Sequence, residues 1–135
     1  MTINNPSERL KRGLDLMAEA SIDRSGLDGM AASDDRVGPE VARMLGEFCF
    51  GDVWTHGSMD NRTKRIVTLA TISALGRERQ LRGHIAGALD QGFTREEVLD
   101  IFVHQIAYGG FPMGLSGMQV AAEVFAERDA KAADA

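Results

Sequence analysis

The stretch RTKRIVTLATISALGRERQLRGHIAGALDQGFTREE, from Arg62 to Glu97, decides the fold. It holds the longest apolar run of the chain, Ile66 to Leu75, closed by Gly76. A glycine there suits a left-handed C-terminal cap, so the run predicts a helix from about Asn61 to Leu75. Arg77 to Gln91 follows as a charged, amphipathic segment ended by Gly92. Thr94 with Glu97 three residues on is a capping box, the start of another helix. Helices joined by so little chain pack as antiparallel neighbours. The expected centre is therefore a helical hairpin whose first arm is apolar nearly all round, as in the most buried helix of a bundle.

Working outward, Asn5-Pro6-Ser7-Glu8 is a helix start, and Leu10, Leu14 and Met17 form one stripe of a helix from about Ser7 to Ala20. Ser21 to Gly38 is rich in Gly and Asp and predicts a long connection with at most one short helical turn. A second helix is expected over Pro39 to Phe48, and an irregular segment over Phe48 to Trp54 that runs on as a loop through His56. After the capping box, Val98, Leu99, Phe102 and Ile106 mark a fifth helix broken at Gly109-Gly110. A sixth is expected from about Met113 to Glu127, with residues 1–5 and 129–135 disordered. Val, Ile and Thr never alternate with polar residues over a strand length. The predicted fold is all-α: one domain, residues 1–135, a bundle of about six helices.

The bulk numbers narrow the function. A net charge of −5 with dispersed Lys and Arg argues against nucleic acid and anionic membranes as partners. No apolar run approaches the roughly 20 residues of a membrane span. Cys49 is the single cysteine, no secretory signal opens the chain, and a cytoplasmic protein is the expectation.

Arg77, Gln80 and His84 stand at i, i+3 and i+7, one face of the hairpin's second arm, with Arg65 within about one turn of His84 across the hairpin. Spacing alone reads this face first as solvated, with snorkelling arginines. His84, between Gly83 and Ile85-Ala86, is expected to be half buried, and its near-neutral intrinsic pKa suits proton transfer. His104 lies in the apolar stretch Ile101 to Ala107, and pattern alone favours a satisfied core histidine. Tyr108 to Pro112 is a helix elbow whose glycines would either admit a ligand closely or simply end a helix. Cys49, between two Phe, reads as a structural thiol. No two His stand at ligand spacing, so no metal site is expected.

These motifs together resemble the carboxymuconolactone decarboxylase family. The matching pieces are Phe50-Gly51-Asp52-Val53-Trp54, the helix Asn61 to Leu75, Gly76-Arg77-Glu78 with Leu81, His84-Ile85 and Gly87-Ala88, Gly92 to Val98, and the elbow His104 to Pro112. They cover nearly the whole chain, about Ser7 to Glu127. The resemblance implies the alkylhydroperoxidase D-like all-α fold, ring-shaped homotrimers or homohexamers, and a carboxy-lyase without cofactors. The implied reaction, in aromatic catabolism along the beta-ketoadipate route, turns 4-carboxymuconolactone, an anionic ring lactone, into 3-oxoadipate enol-lactone and CO2. The same superfamily includes CxxC peroxidases. Their two cysteine positions fall on Arg77 and Gln80, and their glutamate on Arg65, so dithiol chemistry has no nucleophile here. On this resemblance His84 and His104 are the expected catalytic groups, Arg77, Gln80 and Arg65 the substrate-binding groups, and Trp54 and Tyr108 the pocket walls. Arg65 stands where the family commonly has Ser, and Gln80 where it commonly has Glu. These departures leave open a related decarboxylase or isomerase acting on another lactone or ring substrate, and a non-catalytic oligomeric ligand-binding protein on the same scaffold.

Overall fold

The computed structural model describes residues 6–135, and none of the described residues lies in a strand. The expected frayed tail at residues 1–5 lies outside them. The chain forms α1 (Glu8–Glu19), α2 (Ser25–Ala31), α3 (Val37–Met44), a π-helical segment (Leu45–Val53), α4 (Asn61–Ala74), α5 (Glu78–Asp90), α6 (Arg95–Gly109) and α7 (Phe111–Ala133). It divides into two compact units, up to Asn61 and from Arg62.

In the first unit, Ser7 caps α1 by accepting from the Leu10 amide, while Leu16, Met17, Leu27, Phe50 and Trp54 form the core. Two expectations change here. The connection after α1 contains a full short helix, α2. The Phe48 to Trp54 segment is not irregular but a widened helix that continues α3. Glycines explain how that wide turn packs. A Cβ on Gly13 of α1 would sit 2.0 Å from the Gly46 carbonyl oxygen, and one on Gly51 would sit 2.5 Å from the Arg9 carbonyl oxygen. Arg12 Nε donates to the Gly51 carbonyl at 2.7 Å, and Thr55 Oγ1 donates to the same oxygen at 2.6 Å. Beside them buried Glu47 accepts from Ser7 at 2.7 Å and Arg43 at 2.8 Å, which together with nearby Arg9 hold its carboxyl below the usual range.

The second unit is built around the expected hairpin. Gly76, at φ +67°, donates to the Ser73 carbonyl while Arg77 donates to that of Ile72. Gly92, at φ +104°, and Phe93 repeat the pattern on Leu89 and Ala88. Both are the paired reverse bonds of a helix ended by a left-handed residue. Ser21 ends α1 in the same way at φ +55°, without the glycine that would have announced it. The Thr94–Glu97 capping box forms as expected. Leu69, Leu81, Ile85, Phe93, Val98, Phe102, Val120 and Val124 make the core. α7 reaches Ala133 rather than stopping at Glu127. Its alanines favour helix, and Arg95–Asp129 and Arg128–Asp90 ion pairs tie the added turns to α6 and α5.

The apolar arm α4 is not buried all round. Arg65, Leu69 and Ser73 face inward, a stripe spaced at i, i+4 and i+8, while Val67 and Leu75 are 49% and 64% exposed.

Candidate functional site

The site starts from an arginine that should be on the surface and is not. Arg65, on the inward stripe of α4, is 0% exposed, which makes it the largest fully buried side chain described. Burial holds its pKa down to about 10, with Asp90 opposing the fall. It therefore stays cationic at neutral pH, and all its guanidinium hydrogens are donors. Its Nη1 lies 2.8 Å from His84 Nδ1 on α5, and its Nε donates to Gln91 Oε1 at 3.2 Å.

That geometry fixes the histidine's state. A cationic guanidinium can only donate, so Nδ1 must accept and the ring's proton must sit on Nε2. Burial, and then the Arg65 charge, push the His84 pKa down to about 4. At neutral pH the ring is thus a neutral N–H donor, not the ready imidazolium that its intrinsic pKa promised. Such a donor beside a buried cation is suited to holding negative charge on an oxygen.

The other sequence-predicted residues are placed as follows. Arg77 is the non-helical N-cap of α5, at φ −91° and ψ 72°, and its side chain is exposed. It lines an open cleft of about 300 Å³ together with Ser73 and residues of α7. It is seven residues from His84, about 10 Å along the helix. Gln80 is exposed on the first turn of α5. His104 is not a core histidine. α6 buries Val98 and Phe102, and position 104 lies about 200° around the helix from Phe102. Its ring is exposed and tilted against Tyr108, centroids 5.4 Å apart, and Tyr108 is 84% exposed. Trp54 is a core residue of the first unit, tilted against Phe50 at 6.4 Å. Burial raises the Cys49 thiol pKa, in keeping with a structural thiol. Among the described residues no three His, Cys, Asp or Glu side chains gather as a metal-binding group, and no helix is long and apolar enough to cross a membrane.

Gln91 was missed by sequence reasoning. A signal existed: it stands seven residues after His84, on the same helix face, and the glycine that ends α5 directly follows it.

The chain is similar to several known proteins. A 4-carboxymuconolactone decarboxylase of Acinetobacter baylyi is 29% identical over 121 residues, covering 90% of each chain. An uncharacterized 15.0 kDa protein of Paracoccus denitrificans is 27% identical over 97 residues, 70% of this chain and 72% of its own. A nitrosuccinic acid decarboxylase of Metarhizium robertsii is 27% identical over 77 residues, 57% of this chain and 54% of its own. The model of the carboxymuconolactone decarboxylase family matches residues 39–123, which spans the π-helical segment, the α4–α5 hairpin, α6 and most of α7. The chain belongs to the carboxymuconolactone decarboxylase family.

Proposed function

We propose that the protein is a cofactor-independent decarboxylase of a carboxylated ring lactone, with 4-carboxymuconolactone as the reference substrate. The observation that carries this reading is the buried Arg65 holding His84 as a neutral Nε2–H donor. In such a lactone the departing carboxylate is on a ring carbon conjugated through a double bond to the lactone carbonyl. Breaking the C–C bond releases CO2 and leaves its electron pair on the ring, spread onto the carbonyl oxygen as a dienolate. That oxygen needs a donor in place before the bond breaks, and a proton must then reach carbon. His84 Nε2–H supplies the donor, and the field of Arg65 favours the charge. With the imidazolium scarce at neutral pH, carbon protonation falls to another group. His104, exposed beside Tyr108, is the candidate for it, and the exposed Gln80, one turn before His84 on α5, is the candidate for holding the substrate's retained carboxylate.

A second substrate class has its own support. The similarity to a nitrosuccinic acid decarboxylase points to the same electronic demand, because loss of CO2 beside a nitro group also leaves charge on oxygen. The two classes separate in one assay: CO2 release and loss of substrate measured with a panel of carboxylated lactones and nitro acids. We expect saturable turnover of a carboxylated lactone. Turnover of nitro acids alone would reassign the substrate, and turnover of neither would sink the decarboxylase reading.

A further inference from the structure

Apart from the Arg65–His84 centre, the far end of the hairpin carries a cleft of about 300 Å³. Its apolar walls include Leu81 of α5 and Met113 and Val120 of α7. Ser73 also lines it, one residue before the last of α4 and only 8% exposed. The Ser73 hydroxyl oxygen is buried and has no hydrogen-bond partner among the described residues. A buried hydroxyl left unpaired costs free energy comparable to a lost hydrogen bond, so a polar atom from outside is what the position lacks. At the rim stands Arg77, the residue that opens α5, where no side chain caps the helix's first turn. The rim therefore presents a guanidinium and the positive end of a thirteen-residue helix. Glu78 and Ser116 share the lining. With one Arg set against one Glu, the rim suits a single negative charge better than a doubly charged phosphate.

We propose that this cleft binds a small monocarboxylate with an apolar body and a hydroxyl or carbonyl oxygen at its far end. The carboxylate meets Arg77 and the open amides of α5, the body lies against Leu81, Met113 and Val120, and the distal oxygen pairs with Ser73. The site is distinct from the decarboxylation centre: Ser73 lies eight residues from Arg65, about 12 Å along α4. It stands whether or not the decarboxylase reading does.

The test is calorimetric and NMR titration of the full chain with cyclohexanecarboxylate and its 4-hydroxy derivative, with cyclohexanecarboxamide and inorganic phosphate as controls. Both acids should saturate, the hydroxy acid more tightly, and shift perturbations should cluster on Ser73, Arg77 and the start of α7. Arg77→Gln should weaken both acids by roughly tenfold or more, the scale of a charge-assisted bond. Ser73→Ala should erase the advantage of the hydroxy acid while leaving the melting temperature of the unliganded protein unchanged or higher. Three results would overturn the proposal: no saturation by either acid, equal affinity for the carboxamide or phosphate, or perturbations centred on His84.

Discussion

At the scale of single residues, the charge state of His84 is set first by its burial and then by the Arg65 charge beside it. The presence of His84 and its approach to Arg65 were legible, because one glycine between two helices fixes the register of the hairpin. Its neutrality was not. That depends on how deeply the ring sits and on a buried Arg65 beside it, and an arginine in the first turns of a helix reads as surface. The linkage has a definite sign. Unfolded, the imidazole titrates near 6.5; folded, burial and Arg65 hold it at about 4. Between those values the unfolded state binds the extra proton, so folding stability falls as pH drops from about 6.5 toward 4, by on the order of 2 kcal/mol for a partly exposed ring. Urea unfolding across that window should show this loss, and His84→Gln should remove most of it. A His84 ring that protonates near 6.5 in a ¹⁵N NMR titration would contradict the assignment. His104 misled in the opposite direction: its chain neighbours are apolar, but several of them, such as Val103, are themselves exposed.

At the scale of elements, what was legible was punctuation. Gly76, Gly92 and the Thr94–Glu97 box act through local backbone chemistry that sequence states directly. Ser21 does the work of a glycine at φ +55° without being one, and the π-helical segment keeps no 3.6-residue period to read. The contact of α6 with α7 shows why glycines within helices differ from one another. A Cβ on Gly117 would meet the Phe102 ring at 2.6 Å, and that ring is 0% exposed and part of the core. Gly117→Ala should therefore destabilise by about 1–3 kcal/mol. Gly83, in the middle of α5, has open space around it. Gly83→Ala should stabilise by roughly 0.5–1 kcal/mol through helix propensity. Chemical denaturation of both variants checks the opposite signs; equal signs would mean that the α6–α7 approach is looser than described.

At the scale of the whole molecule, the family and the all-helical class were legible because five motifs occur in order and no segment alternates like a strand. The surface was less so, since α4 reads as a buried helix and is exposed along one side. Val67, Leu75, Phe111 and Leu115 are all at least 49% exposed, and Phe48 and Met44 of the first unit are similarly open. From so much exposed apolar surface we propose a homotrimer or homohexamer, in which neighbouring copies cover it. Light scattering that returns a monomer at micromolar concentration would refute this. The decarboxylation centre we propose is tested most directly by CO2 release from 4-carboxymuconolactone, comparing the wild-type protein with His84→Ala at matched fold and assembly. Loss of one preorganised oxyanion donor should lower kcat by about 10²–10³-fold with the circular dichroism spectrum and oligomer size unchanged. Activity within about tenfold of wild type would contradict the role given to His84.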